Sequence, residues 1–208
     1  LILLVSIGTV NAYNFMDGIN GITILYTVVF VVTTWIIEKQ DHLGISLDPM
    51  IFILIGCFVL GFLNIRKKAL AFMGDVGSVL LGLIVVYWVV YLITHENSII
   101  FLSMLLVYGI DSVLTIVERL IRKENIFSAH RRHLYQILSN ELNWSHIYVS
   151  LMYAVTQAVL NGIMLYCWYQ NYYGPTVFTS MAIVMGSFYL VIKYFFLLPK
   201  VSSNKVAT

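Results

Sequence analysis

Apolar residues run along this chain in long blocks separated by short polar stretches, so block length is the leading signal. About 20 apolar residues in a helix cross the ~30 Å of bilayer hydrocarbon, with a range of roughly 17 to 25. Six blocks approach that length, over residues 22–37, 50–65, 79–94, 99–117, 147–169 and 176–198. A seventh, residues 1–10, is too short to span. It has no leading methionine and no basic start, and Asn11 and Asn14 follow it where a cleavage site needs small residues, so it does not read as a signal peptide. It reads as the later part of a helix, which predicts that the chain is the C-terminal part of something longer. The fold expected is all-α: a single polytopic membrane domain over residues 1–208 with about six complete spans, a partial first helix and an interfacial cytoplasmic helix.

Composition sharpens this. The chain is 60% apolar and 11% charged, with a mean hydropathy of +0.88. Soluble domains sit near ~45–50% and ~25%, so a soluble globular fold is excluded. The net charge of +2 leaves no nucleic-acid footprint. Cys57 and Cys167 both fall inside apolar blocks, which argues against a disulfide framework or a thiolate metal site. The basic residues set the orientation. With residues 11–21 cytoplasmic, Arg66, Lys67, Lys68, Arg119, Arg122, Lys123, Arg131, Arg132, Lys200 and Lys205 all lie inside, Lys193 lies near the inner end of the last helix, and only Lys39 is outside. Tyr91 and Trp168, near block ends, suit an interfacial aromatic belt.

Three polar motifs then fall on the same, cytoplasmic side. The first runs from Asn11 to Gly21; on a helix end, Asn11, Asn14 and Asp17 at three-residue spacing share one face and can converge on a ligand. A turn, with Asp17 or Asn20 capping the next helix, is an equal reading. The second, Phe72-Met73-Gly74-Asp75-Val76-Gly77-Ser78, sets a carboxylate between glycines at a helix start, where free N–H groups favour anions. Asp75 is there either a helix cap or a carboxylate for a Mg²⁺ ion that bridges protein and diphosphate.

The third lies in the loop 118–146, centred on His130, Arg131, Arg132 and His133. Leu134, Ile137, Leu138 and Leu142 have helical spacing, so the segment is expected to lie on the membrane surface, apolar face down. Its arginines and histidines then suit phosphate oxygens; a plain membrane-binding basic helix is the competing reading. No thiolates lie near His130 and His133 and the other histidines are elsewhere, which argues against zinc. Asp111, inside a span, must face protein or water, either to orient a basic residue of the third loop or to pair with a neighbouring helix.

Together these motifs resemble the polyprenyl-phosphate N-acetylhexosamine-1-phosphate transferases. That family carries Asn-x-x-Asn-x-x-Asp-Gly-x-Asp-Gly, matched by Asn11, Asn14, Asp17, Gly18 and Gly21 with Asn20 in place of the second Asp. It carries Phe-x-Gly-Asp-x-Gly-Ser, matched by Phe72, Gly74, Asp75, Gly77 and Ser78, and a late His-rich loop that residues 130–136 resemble. Its members have further helices and an Asp-Asp pair ahead of these motifs; this chain has no Asp-Asp. Many relatives have a His-x-His-His cluster, whereas here His133 stands alone with His130 upstream, closer to the O-antigen and capsule branch than to the peptidoglycan branch.

The resemblance implies an enzyme of the bacterial inner membrane, active site facing the cytoplasm, that transfers N-acetylhexosamine 1-phosphate from a UDP-N-acetylhexosamine to undecaprenyl or another polyprenyl phosphate. It implies Mg²⁺ as cofactor, with Mn²⁺ as a substitute, and leaves room for a homodimer. On this reading Asp75 is the leading metal ligand and Asp17 the second, or a contact to the acceptor. Asn11 and Asn14 orient the nucleotide or Asp17, and His130, Arg131, Arg132 and His133 grip the diphosphate or sugar. An inactive remnant or assembly subunit is the second reading, and a membrane transporter a weaker third.

Overall fold

The computed structural model describes residues 2–126, 128, 131–172 and 174–197. Its elements, in chain order, are α1 (Ile2–Met16), α2 (Ile22–Asp41), α3 (Leu47–Asn64), α4 (Gly74–Glu96), α5 (Leu106–Ile121, entered through a 3₁₀ stretch Ile99–Leu105), the short α6 (Leu134–Gln136, widening into a π-turn Ile137–Glu141), α7 (His146–Tyr169) and α8 (Pro175–Leu190, continued as a π-helix Val191–Leu197). There is no strand among the described residues. Six segments are long and apolar enough to cross a membrane: Ile22–Asp41, Leu47–Asn64, Gly74–Glu96, Ile99–Ile121, His146–Tyr169 and Pro175–Phe195. The all-α polytopic fold is therefore as the block lengths predict. One difference matters for the site: α1 does not stop with its apolar block at residue 10 but carries Asn11 and Asn14 to its end at Met16.

Close packing of α1 on α4 brings two of the motifs together. Gly82 makes it feasible, because a Cβ there would lie 3.1 Å from the Val10 Cα and 3.2 Å from the Tyr13 Cβ. Small residues let membrane helices approach in this way. Helix α2 packs on α3 and α7, and α5 packs between α1 and α8. The outer faces of α3 and α8 expose Phe52, Phe58 and Phe62, and Val184 and Phe188, as lipid-facing helices do.

The change from 3₁₀ to α winding in α5 leaves backbone groups that lipid cannot satisfy. Gln157 of α7 answers it, accepting from Val107 N at 3.0 Å and donating to Ser103 O at 2.8 Å. Tyr26 donates to Gln157 at 2.7 Å, Gln157 donates to Asn161 at 2.7 Å, and Asn161 donates to Thr33 at 2.8 Å. A buried polar string thus ties α2, α5 and α7 in the middle of the bundle.

The helices alternate so that residues 11–21, 64–74, 118–126, 131–146 and the end of α8 gather at one end. Asn20 Nδ2 donates to Arg66 O at 2.9 Å, Ser150 to Asn20 O at 2.8 Å, Tyr135 to Phe15 O at 2.8 Å, and Lys193 to Arg132 O at 2.8 Å. At the other end Tyr91 donates to Leu43 O at 2.6 Å. Among the described residues, every Lys and Arg except Lys39 belongs to the first end.

The third loop departs from expectation. Leu134, Ile137 and Leu138, expected to lie on the membrane surface, are buried in the protein core and Leu142 is half-buried against it. Phe15 and Asp111 offer acceptors to Tyr135 and to the Leu134 N–H, and these bonds draw the short helix inward.

Candidate active site

Asn14 sits on the last turn of α1 and Asp75 on the first turn of α4, and the close crossing joins them. Asn14 Nδ2 donates to Asp75 Oδ1 at 3.1 Å and to Ser78 Oγ at 3.3 Å. Its partner is therefore Asp75 and not Asp17. Asp17 follows α1 directly, its N–H bonded to Asn14 O at 3.3 Å. Burial raises the Asp17 carboxyl above the ordinary carboxylate range; the neighbouring Thr23 hydroxyl offsets part of this and the Asp75 charge adds to the rise. Neither carboxylate has an ion-pair partner among the described residues.

The capping alternatives fail. The residue before α4 is Met73 and the residue before α2 is Gly21, neither with a side-chain cap. Asp75 instead stands inside the first turn of α4, where the helix dipole favours negative charge. The α1–α2 turn is held from elsewhere: Asn64 Oδ1 accepts from Gly21 N at 2.6 Å while Asn64 Nδ2 donates to Ala71 O at 2.8 Å. Asn20, in place of the second Asp of the resemblance, ties this turn to Arg66 O.

Asn11 is exposed on α1, away from the Asn14–Asp75 pair in the hydrogen-bond pattern. It borders an apolar groove of about 610 Å³ between α1, α5 and α8, whose lining includes Gly8, Gly109, Phe178 and Gly186 and which reaches Phe15 near the motif.

The third motif meets the first through Tyr135. Its hydroxyl bonds Phe15 O and its ring lies over Gly18, where any Cβ would collide with it. The His133 ring stands 6.4 Å from Phe15 and 5.8 Å from Tyr135. Within the loop, Arg132 is committed to two carboxylates, at 3.2 Å to Glu118 and 2.6 Å to Glu124. His133 is buried, with Nδ1 3.2 Å from Asp111 Oδ1. Arg131 is exposed and has no ion pair among the described residues. His130 lies outside the described residues. Of the four residues expected to grip a diphosphate, Arg132 and His133 thus lie against carboxylates of the protein, and Arg131 is exposed.

Sequence reasoning missed Glu118, Lys193, Tyr153 and Tyr189. Lys193 Nζ lies 2.9 Å from Glu118 Oε2, and both are buried. The available signal was helical spacing: Asp111, Thr115 and Glu118 recur at i, i+4 and i+7 on one face of α5, and Tyr189 and Lys193 at i and i+4 on α8.

Among the described residues no group of three or more His, Cys, Asp or Glu could hold a metal ion alone. Asp17 and Asp75 nevertheless fit Mg²⁺, which is commonly held by one or two carboxylates with substrate phosphates completing the shell. The Asp75 charge also contributes to the rise of the Asp17 carboxyl.

Comparison with known proteins agrees with this anatomy. A family model, glycosyl transferase family 4, matches residues 1–93, a stretch holding both the Asn14–Asp17 and the Asp75 motifs. A phospho-N-acetylmuramoyl-pentapeptide-transferase of Thermotoga neapolitana is 33% identical over 143 residues, 68% of this chain and 46% of that protein. Proteins of the same name from Streptococcus agalactiae and Thermotoga petrophila are 34% identical over 109 residues and 40% over 81, covering 52% and 38% of this chain and 32% and 26% of theirs. The matched stretch spans less than half the length of each of these relatives. With its two acidic motifs inside the matched region and joined by Asn14 in space, the chain belongs to glycosyl transferase family 4.

Proposed function

We propose that this protein transfers a phospho-sugar, N-acetylhexosamine 1-phosphate, from a UDP-sugar to a polyprenyl phosphate at the cytoplasmic face of a bacterial inner membrane. The observation that carries the reading is the Asp17–Asp75 pair, with Asp75 held by the Asn14 side chain, Asp17 bonded through its N–H to Asn14 O, and no cationic partner for either among the described residues, at the end of the bundle where the three motifs meet. In the reaction an oxygen of the lipid phosphate bonds to the sugar-bearing phosphorus of the donor, the bond from that phosphorus to the bridging oxygen breaks, and UMP leaves.

A phosphate monoester has a second pKa near ~6, so the acceptor is largely dianionic at neutral pH and needs little general-base help. The protein's task is to hold two mutually repelling anions in line. Asp17 and Asp75 would hold Mg²⁺, or Mn²⁺ in its place, and when bound the ion neutralises charge on the diphosphate. Asn14 keeps the Asp75 carboxylate aimed, and the α4 N-terminus adds a favourable dipole. Arg131, which is exposed, would meet phosphate oxygens, and Asn11 borders the groove between α1, α5 and α8, whose apolar lining would suit the prenyl chain.

The names of the relatives support a second donor, one that delivers phospho-N-acetylmuramoyl-pentapeptide. The test is UMP release from membranes expressing the protein from its own gene, given polyprenyl phosphate and either donor, with and without Mg²⁺. Mg²⁺-dependent release from a UDP-N-acetylhexosamine is expected. Release from the muramoyl-pentapeptide donor alone would move the substrate, and no release from either would sink the transferase reading.

A further inference from the structure

Asp111 is 1% exposed, yet its carboxylate receives donors from four elements. Oδ1 accepts from Tyr189 of α8 at 2.9 Å, Leu134 N of α6 at 3.1 Å and Thr115 of α5 at 3.3 Å, and it lies 3.2 Å from His133 Nδ1. Oδ2 accepts from Tyr153 of α7 at 2.6 Å. A carboxylate offers about four lone-pair sites, so this one is saturated. For stability alone, a buried charge with so many partners is a poor choice, because apolar packing of similar volume does as well or better. What the arrangement uniquely supplies is direction. Tyr153 and Tyr189 fix the carboxylate in rotation, and the carboxylate in turn fixes a ring nitrogen and the first N–H of α6. That loop then meets the site: His133 stands beside Phe15, and Tyr135 bonds Phe15 O between Asn14 and Asp17 in sequence.

We propose that Asp111 is a positioning residue for the transfer: through His133 Nδ1 and the Leu134 N–H it sets the orientation of the third motif against the site formed by Asn14, Asp17 and Asp75. The proposal rests on the transferase reading above. An acid that holds one nitrogen of an imidazole sets its tautomer and aim, which is how a histidine is oriented toward a reacting group. Asp111 itself touches no substrate in this scheme.

The test uses the protein expressed from its own gene, in membranes and after detergent extraction. Asp111→Asn keeps the shape and one acceptor oxygen. It is expected to lower kcat about 10- to 100-fold, the range typical for losing a residue that orients a functional side chain, with KM for the UDP-sugar within about twofold and thermal midpoint near the parent's. The ¹⁵N spectrum of labelled histidines, with His133 assigned by its loss in His133→Gln, should show a proton on Nδ1 in the parent and its redistribution in Asp111→Asn. If Asp111 acts through His133, the double variant Asp111→Asn/His133→Gln is no slower than His133→Gln alone, whereas a purely structural role makes the two losses multiply.

Should Asp111→Asn fail to fold, Tyr153→Phe/Tyr189→Phe loosens the carboxylate without removing it, and a smaller fall in kcat with the same ring signature is expected. Unchanged kcat in a folded variant, multiplying losses, or an unchanged ring spectrum would each overturn the proposal while turnover by the parent and its loss in Asp75→Asn keep the transferase reading standing. No turnover by the parent with any donor would instead overturn that reading.

Discussion

Two pairs of carboxylates stand at the same end of this bundle, and they are built in opposite ways. Asp111 and Glu118, on one face of α5, are surrounded by partners: His133 and two tyrosine hydroxyls on the first, and Lys193, Arg122 and Arg132 on the second. Asp17 and Asp75 have no ion-pair partner among the described residues, only neutral neighbours such as Thr23 beside Asp17 and Asn14 on Asp75, and burial together with the Asp75 charge raises Asp17. A saturated pair stabilises a geometry and has nothing left to offer a ligand. A pair with unmet negative charge, at a helix start, is where a cation and the anions that follow it would bind.

This contrast predicts different outcomes when each pair is neutralised. The largest effect belongs to Asp75→Asn. The amide still accepts from Asn14, so membrane level and thermal midpoint should hold while UMP release falls by about 10²–10³ or more, as when a preorganised electrostatic group is lost. Turnover within tenfold of the parent would remove Asp75 from the site.

At Glu118 the expected loss is of stability, and it is asymmetric. Glu118→Gln strands the buried Lys193 ammonium without a carboxylate and should cost about 3–5 kcal/mol, read as a large fall in thermal midpoint. Lys193→Met leaves Glu118 with Arg122 and Arg132 and should cost closer to ~1 kcal/mol. Equal losses would contradict the description of Glu118 as the shared centre.

The seam between the two regions is Gly18. Gly18→Ala forces a Cβ into the Tyr135 hydroxyl, and overpacking of this kind costs about 1–3 kcal/mol. Tyr135→Phe should relieve only part of it, since ring carbons of Tyr135 would still lie 2.9 and 3.0 Å away. Full rescue in the melting curve would show that the ring does not lie over Gly18.

The smallest effect is a pH dependence. The Asp17 carboxyl is raised in the folded state, so the folded protein binds that proton more tightly than the unfolded chain does, and stability falls as pH rises through its titration. Asp17→Asn lacks this slope. It should melt slightly higher than the parent at alkaline pH, and the gain should vanish on acidification below the ordinary carboxylate range, even though turnover is lost throughout. A gain that grows on acidification would reverse the sign and refute the burial of Asp17.

The sequence by itself determined the number of spans, their approximate limits and the shared side of the three motifs, because bilayer thickness fixes helix length and loop charge fixes orientation, and both are local properties of the chain. It also marked Asn14, Asp17 and Asp75, since glycines beside acids at a helix boundary are a pattern of neighbours. What it could not supply were partners across helices. Asn14 finds Asp75 61 residues away because α1 crosses α4 at Gly82. Residues of the third loop turn inward to Asp111 and Phe15 because acceptors on α5 and at the end of α1 await them there, and Arg132 pairs with Glu118 and Glu124. Periodicity places a residue on a face, but only the packing of helices, which are free in sequence to cross in many ways, decides which faces meet.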